Sequence, residues 1–235
     1  IYELAWKQRP GMIKREISRW NRLKLEMERK DIPGIPSYAL FKKDGKYEGY
    51  VNYRLNLNST ATDGSLLINE IISTTDEAHL NLVNYCMSID GVKKITSKSR
   101  PLDDPIPWIL EEPRKLSRYV EDQLHLRIVD VPSALVARKY NVDGQITILV
   151  TDNILESNNA KFSLENSSNI AKCKKTNLPH DLKIDIRELG SIYLGETSWL
   201  NLCKSKLIEI NSLEKLHLAD QMFYSIPSPW CADYF

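Results

Sequence analysis

The sequence predicts an α+β protein in two parts, and three observations lead to that prediction. Hydrophobic residues make up 42% and charged residues 27% of the 235 residues, which is typical of a globular protein. Segments with helical periodicity alternate with segments rich in β-branched and aromatic residues. A proline-rich stretch, residues 100–113, interrupts this alternation near the middle of the chain. We therefore expect two domains, residues 1–121 and residues 122–235.

The first predicted elements are a helix and a β-hairpin. Over residues 12–29, apolar residues recur at spacings of three and four, which places them on one helical face that we expect to be buried. The residues of this face are Ile13, Ile17, Trp20, Leu23 and Met27. The dipeptide Asp44-Gly45 then separates two strand-like runs, residues 37–43 and 46–57. Because glycine accepts the positive φ of a tight turn, these runs predict a hairpin.

A strand, a helix and a second strand are expected next. Residues 66–72 have strand composition. Thr74, with Glu77 three residues later, resembles a capping box that opens a helix ending near Gly91. Residues 93–97 are predicted as the following strand. The first half is therefore expected to be a sheet with helices.

The stretch of residues 100–113 holds four of the eleven prolines and is predicted to be a stiff connector. Proline fixes φ and lacks an amide donor, so this stretch suits neither a central strand nor a long helix. Its paired carboxylates, Asp103 and Asp104, offer two interpretations: they bind a cation or an amine, or they form Asx-type turns. The residue types alone favour the turns.

The second half is predicted to be a small sheet with several helices. Its expected strands cover residues 124–129, 145–151, 161–165, 170–174 and 182–186, with a turn at residues 166–169. Its expected helices cover residues 130–138, the first opened by Asp130 and Pro132, then 187–193, 198–204 and 212–225.

Composition excludes several classes of function. The formal net charge is +1, which argues against a nucleic-acid partner, and no apolar run approaches the length needed to span a membrane. The four cysteines and four histidines are scattered, so we expect no metal site. Free thiols indicate a reducing compartment, and we predict a cytoplasmic protein. The chain opens on Ile1 without the pattern of a signal peptide, so we expect it to have been cut from something longer.

No complete cofactor or nucleophile motif is present. The sequence has no Walker loop, dinucleotide fingerprint or nucleophile elbow. An acyl-CoA pyrophosphate site would need Gln/Arg-x-x-Gly-x-Gly/Ala between a strand and a helix. The closest matches start at Gln8 and Arg187, and both end in isoleucine, whose side chain would crowd the ligand. We therefore expect this chain to bind no acetyl-CoA.

The last residues are unusual for a chain end. Pro227 and Pro229 stiffen the approach, and Trp230, Tyr234 and Phe235 bring three aromatic rings. Chain ends are normally polar and frayed, so this segment is predicted to dock on the protein. Docking alone, without a chemical role, is the simpler interpretation of these residues.

Several stretches together resemble the Eis (enhanced intracellular survival) family of GNAT acetyltransferases, and they follow the family's order. The stretches are Ile1-Tyr2-Glu3, Arg9-Pro10-Gly11, residues 100–110 (RPLDDPIPWIL), residues 126–135 (LRIVDVPSAL), residues 189–195 (LGSIYLG) and the terminal residues from Pro229 to Phe235. The resemblance implies a GNAT-like mixed sheet with helices, without an acetyl-CoA site, followed by an α+β domain similar to sterol carrier proteins.

The resemblance also implies a function that the chain alone would lack. Family members carry a further, N-terminal GNAT domain that binds acetyl-CoA and supplies a tyrosine as general acid. What carries over to this chain is the terminal carboxylate as general base, which here is that of Phe235. Trp230, Asp233 and Tyr234 are its expected substrate-binding neighbours. The implied reaction acetylates amines of small cationic molecules such as aminoglycosides.

Two further interpretations remain. The second half, taken alone, is also compatible with a carrier module that holds an apolar lipid. Its predicted helix over residues 212–225 has only the apolar residues that core packing already explains. The family resemblance also implies a closed homo-oligomer, a hexamer, which is compatible with the enzyme interpretation.

Overall fold

The computed structural model describes residues 1–57 and 63–234. The described chain forms two compact units. The first consists of Ile1–Arg118 together with residues 230–234, and the second is Tyr119–Pro229. The terminal residues thus return to the unit in which the chain begins. The division of domains at residue 121 stays a prediction.

The first unit contains a four-stranded mixed sheet. Its strands are β1 (Ile35–Lys43), β2 (Lys46–Asn56), β3 (Gly64–Ser73) and β4 (Val92–Ser97), in the order β1-β2-β3-β4. Its helices are α1 (Tyr2–Ala5), α2 (Ile17–Met27), α3 (Asp76–Met87) and α4 (Ile106–Ile109). The first three strands pair antiparallel, and β4 runs parallel to β3 across α3. Helix α3 packs on the sheet through Leu82, Val83 and Cys86, which are buried with Val51 and Leu66.

Local signals predicted the middle of this unit well. Asp44 and Gly45 both have positive φ, 47° and 80°, and turn the predicted hairpin. Helix α3 starts one residue later than expected. The side chain of Thr75, not that of Thr74, accepts a hydrogen bond from the backbone amide of Ala78. The connector of residues 100–113 contains no strand and no long helix, as predicted: α4 is a single turn, and a 3₁₀ turn begins at Pro113.

Helix α2 differs from the expectation. It begins at Ile17, after an extended Glu16, rather than at residue 12. Met27 is buried, but Ile17 is 77% exposed and Trp20 is 38% exposed, so the expected apolar face is not a core face within the described residues. Arg15, which lies two residues before the helix, is instead buried in the interior.

The second unit contains a five-stranded mixed sheet. Its strands are β5 (Gly144–Thr151), β6 (Ala160–Ser167), β7 (Ile170–Lys175), β8 (Leu182–Asp185) and β9 (Ile208–Ile210), in the order β7-β6-β5-β8-β9. Its helices are α5 (Val131–Ala137), α6 (Ile186–Tyr193), α7 (Trp199–Lys204) and α8 (Leu213–Phe223). The central strand β5 is parallel to β8 and antiparallel to β6. The α+β fold class is thereby confirmed.

One predicted strand of this unit is wrong, and one observed strand was not predicted. Residues 124–129 alternate in polarity but join neither sheet of the described chain. The carbonyl of Leu126 instead approaches Gly190 of α6, so alternation here reflects packing on a helix. The short strand β9 was missed because three residues carry too little pattern. Asp130 does cap α5, accepting the amide of Ser133 as expected.

Candidate functional site

The terminal segment, residues 230–234, docks on the first unit and is called the tail here. The backbone amide of Trp230 donates to the carbonyl of Pro10 at 2.9 Å. The hydroxyl of Ser99 donates to the carbonyl of Cys231 at 3.2 Å. Trp230 and Ala232 pack against the apolar cluster of Tyr2, Ala5, Met12 and Ile72. The predicted docking of the terminal residues is therefore observed for residues 230–234.

Gly11 allows the close approach of the tail. Its φ is +86°, and a Cβ there would lie 3.1 Å from the carbonyl oxygen of Trp230. Both the backbone conformation and the space thus require glycine at this position. The Arg9-Pro10-Gly11 stretch noticed in the sequence therefore forms part of the docking surface for the tail.

A buried ion cluster lies beneath the tail. The guanidinium of Arg15 has no exposed side-chain surface and lies between two carboxylates. Its Nε donates to both oxygens of Asp233 at 3.0 Å, and its Nη1 donates to Oε1 of Glu70 at 3.1 Å. Arg15 also stacks over the ring of Tyr2, 4.0 Å from its centroid. One arginine thus joins the tail to strand β3.

Further polar groups complete this cluster. Arg19 of α2 donates through Nε to Oδ1 of Asp233 at 2.7 Å. The Tyr2 hydroxyl lies 3.1 Å from Oδ2 of Asp233 and 2.8 Å from the carbonyl of Ile13. Burial and the neighbouring carboxylates raise the pKa of Tyr2, while Arg15 opposes the rise. Two arginines and two carboxylates thus balance in charge, and Tyr2 stays a neutral donor.

Glu70 has a second tyrosine partner. The hydroxyl of Tyr50 donates to Oε1 of Glu70 at 2.6 Å. Burial first, and then the charge of Glu70, raise the pKa of Tyr50 well above its usual range. The buried carboxylate therefore has both a cation and a neutral donor, which is what a charge away from water requires.

The predicted site residues take different positions in the tail. Asp233 is 1% exposed and its carboxylate is fully engaged by the cluster. Tyr234 is 50% exposed. Trp230 is partly buried, and its indole N–H has no hydrogen-bond partner among the described residues. Phe235, the expected base, lies outside the described residues.

A second set of charges lies beside the tail. Arg100 donates to Asp104 through Nε at 2.8 Å and lies 5.7 Å from the ring of Trp230. The amide of Ile106 donates to Oδ1 of Asp104 at 3.0 Å. The predicted Asx turn is thus present at Asp104, and Asp103 pairs with Arg9. Both carboxylates are engaged within the fold.

Asp104 gives the first unit a pH-dependent contribution to stability. Burial acts to raise its pKa, but His79 and Arg100 outweigh burial and hold that pKa well below its usual range. Since the folded pKa is depressed, the contribution is present above the unfolded value near ~3.9 and is lost as pH falls further. We expect Asp104→Asn to lower the free energy of unfolding at neutral pH and the difference from wild type to shrink towards about pH 2. Urea titrations across this range check it, and a constant difference would contradict it.

The N-terminus of α3 does not suit an acetyl-CoA pyrophosphate. The helix follows strand β3, which is the order that a pyrophosphate site requires. However, the backbone amide of Ala78 already donates a hydrogen bond to the side chain of Thr75. Asp76 and Glu77 fill the first turn, and Glu48 accepts a hydrogen bond from Thr75. Carboxylates at the helix start would repel a pyrophosphate. These residues do not fit the cofactor.

The second unit has a closed apolar core. Trp199, Phe162 and Phe223 are fully buried, and the rings of Trp199 and Phe223 meet edge to face at 5.3 Å. Two cavities at its surface have volumes of about 190 and 480 Å³. The smaller is lined by Thr151, Lys183, Ile184, Asp185, Lys206, Leu207, Ile208 and Glu209, and the larger by Leu149, Asn159, Ala160, Lys161, Lys175, Thr176 and Asn177. Both cavities are surface sites lined by polar as well as apolar residues, so neither resembles a lipid tunnel.

Within residues 1–57 and 63–234, no group of three or more His, Cys, Asp or Glu side chains is arranged to hold a metal ion. No helix in that part of the chain is long and apolar enough to cross a membrane.

Comparisons with known proteins agree with the architecture. Residues 11–128 match the family model of an acetyltransferase (GNAT) domain, and residues 131–232 match that of a sterol carrier protein domain. The chain is 30% identical over 230 residues to N-acetyltransferase Eis of Mycobacterium tuberculosis, covering 96% of this chain and 54% of that protein. It is 28% identical over 234 residues to an uncharacterized N-acetyltransferase of Streptomyces avermitilis, covering 98% and 57%.

A solved structure extends the comparison to the fold. The crystal structure of Eis1 from Mycobacterium abscessus matches with a TM-score of 0.81 at 28% identity, covering all of this chain and 59% of that chain. The chain spans little more than half the length of the relatives it matches. The chain therefore belongs to the Eis family of GNAT acetyltransferases and carries a GNAT domain followed by a sterol carrier protein domain.

Proposed function

We propose that this chain works within an acetyl-CoA-dependent N-acetyltransferase that acts on amines of small cationic molecules such as aminoglycosides. The observation that supports this most is the tail, which returns from the end of the chain to the GNAT unit and is anchored there by Asp233. A tail anchored in this way can hold a terminal carboxylate at a fixed position beside the GNAT unit. The match to the acetyltransferase (GNAT) family supports acetyl transfer as the class of reaction.

The chemistry that this chain contributes is proton removal from the substrate amine. A protonated amine cannot attack an acyl carbon, so a base must take its proton. In a polypeptide that ends at Phe235, the terminal carboxylate is our proposed base. A free α-carboxyl group has a pKa near ~3.5 in water, and desolvation beside aromatic rings would raise it towards the range useful for catalysis. Trp230 and Tyr234 are the proposed substrate contacts.

Acetyl-CoA would supply the acetyl group, and we propose that a further GNAT domain of the same polypeptide holds it. The acidic, capped start of α3 supports that assignment, since it does not suit a pyrophosphate. We expect calorimetric titration of this chain alone with acetyl-CoA to show no binding at micromolar concentrations. Micromolar or tighter binding would contradict this expectation.

The proposed function is tested with a polypeptide that carries both this chain and the proposed further GNAT domain, called the complete polypeptide here. Kanamycin, an aminoglycoside, and acetyl-CoA are the substrates, and mass spectrometry follows the acetylated product. We expect acetylation by the complete polypeptide and none by residues 1–235 alone. Release of CoA that does not depend on kanamycin would count against a cationic amine as the acceptor.

The alternative, a lipid carrier, gains no support from the second unit. Its core is packed with buried aliphatic and aromatic side chains, and the two cavities described above are surface sites lined by polar as well as apolar residues. Extraction of a stoichiometric lipid from the purified chain would reverse this preference.

We also propose that the protein assembles as a homo-oligomer, a hexamer by analogy with its family. Edge strand β1 exposes Ile35, Tyr38 and Leu40 at about 60% or more, and a surface of this kind is typical of one that is covered by another chain or domain. Native mass spectrometry of the complete polypeptide gives the number of subunits, and a monomer would contradict the proposal.

A further inference from the structure

We infer that Arg15 and Arg19 clamp Asp233, and that Asp233 is a positioning residue for the tail rather than a contact for the substrate. The claim that the clamp holds the tail depends only on the geometry. The claim that the clamp affects the rate of acetylation rests on the proposed function. The family resemblance implies substrate contact for Asp233, and the environment of its carboxylate argues for a different role.

Both oxygens of the Asp233 carboxylate are already occupied. Oδ1 accepts from Arg15 Nε at 3.0 Å and from Arg19 Nε at 2.7 Å, and Oδ2 accepts from Arg15 Nε at 3.0 Å and from Tyr2 at 3.1 Å. The side chain is 1% exposed. A cationic substrate would have to displace an arginine to reach this carboxylate.

The clamp joins elements that are far apart in the chain. Arg15 precedes α2 and Arg19 lies in its first turn, while Glu70 on β3 fixes the far side of the Arg15 guanidinium. Charge-assisted hydrogen bonds of this kind are among the strongest and most directional in proteins. The tail is therefore held by the sheet and by helix α2 together.

Asp233 stands two residues before Phe235. Successive Cα atoms are ~3.8 Å apart, so in a polypeptide that ends at Phe235 the last Cα atom could lie no further than about 8 Å from that of Asp233. A base must come within hydrogen-bonding reach of the proton it removes. Anchoring at Asp233 would therefore restrict the positions available to the proposed terminal carboxylate.

Two cysteines allow the clamp to be tested without any activity assay. Cys231 lies in the tail, is 5% exposed, and its thiol donates to the carbonyl of Asp233 at 3.4 Å. Cys86 lies in the core of the same unit and is 1% exposed. Undocking of the tail would expose Cys231 alone, whereas unfolding of the unit would expose both.

The experiment is alkylation with iodoacetamide at about pH 8, where the thiolate fraction sets reactivity, followed by peptide mass spectrometry. Burial raises the pKa of Cys86 to about 11 and also raises that of Cys231, so both should react slowly in the wild type. We expect Asp233→Asn to speed alkylation of Cys231 at least about tenfold, since it removes the negative charge and one of the two acceptor oxygens that the arginines bind, while Cys86 is unchanged. Arg19→Gln, a milder change at a partly exposed residue, should act in the same direction.

Glu26→Gln is the matched control, because Glu26 forms its ion pairs with Arg19 and Arg22 rather than with a residue of the tail. We expect it to leave the alkylation of Cys231 at the wild-type rate. Unchanged labelling of Cys231 in Arg19→Gln and Asp233→Asn would overturn the clamp, as would a rise that Cys86 matches in Arg19→Gln.

Kinetics in the complete polypeptide separate this inference from the proposed function. A functional clamp predicts that Arg19→Gln lowers kcat for kanamycin and leaves the KM for acetyl-CoA unchanged. If Cys231 becomes reactive while kcat stays at the wild-type value, the clamp holds the tail but the positioning role is overturned. Absence of acetylation in the wild type would contradict the proposed function and leave the labelling result to decide on the clamp.

Discussion

Adding one glycine after Phe235 is expected to lower the rate of amine acetylation by the complete polypeptide by about 100-fold or more, without changing its folding. The extension moves the carboxylate by about 3.8 Å, the spacing of successive Cα atoms, beyond the reach that proton removal requires. General-base catalysis typically contributes ~100-fold or more. Steady-state kinetics with kanamycin measure the change.

Phe235→Leu is the matched control for this experiment. It keeps the terminal carboxylate in place and removes only the aromatic ring, so its loss of rate should be much smaller than that of the extension. Near-native turnover of the extended polypeptide would show that the tail is only packing. Equal losses in both variants would assign the effect to the ring.

Arg15→Met is expected to destabilise the first unit by about 3–5 kcal/mol. The substitution keeps much of the volume but removes a positive charge that two buried carboxylates share, those of Glu70 and Asp233. An uncompensated buried charge is more costly than the pair it came from. Urea unfolding followed by tryptophan fluorescence measures the loss, since Trp6, Trp20, Trp108 and Trp230 belong to this unit.

Arg22→Met provides the comparison. Arg22 lies on the same helix as Arg19, its side chain is 64% exposed, and it pairs with Glu26 at the surface. A surface change of this kind should alter the free energy of unfolding by no more than about 0.5 kcal/mol. A loss below about 1 kcal/mol for Arg15→Met would contradict the buried-charge account.

Local signals made the hairpin and helix α3 predictable. Asp44-Gly45 needs no distant partner to turn the chain, because a positive φ at both residues is set by the residues themselves. Thr75 caps α3 through the amide of Ala78, three residues away. The predictions of this turn and of the start of α3 were accurate to within one or two residues.

The cluster beneath the tail could not be predicted in this way. Arg15 and Asp233 are separated by 218 positions, and Arg15 and Glu70 by 55. Periodicity placed Arg15 on an expected helix, where arginine is normally exposed. The prolines and aromatic residues of the terminal segment predicted that it would dock on the protein. They did not predict which charged residues would hold it.

The most direct test of the account shortens the tail while keeping its anchor. A complete polypeptide that ends at Asp233 loses Tyr234 and Phe235 but retains the partners of Asp233, namely Arg15, Arg19 and Tyr2. The measurement is the kanamycin-dependent release of CoA from acetyl-CoA, alongside the affinity for acetyl-CoA. We expect the rate to fall by about 100-fold or more while that affinity is unchanged. A shortened polypeptide that acetylates kanamycin at the native rate would contradict the central claim that the chain end takes part in the reaction.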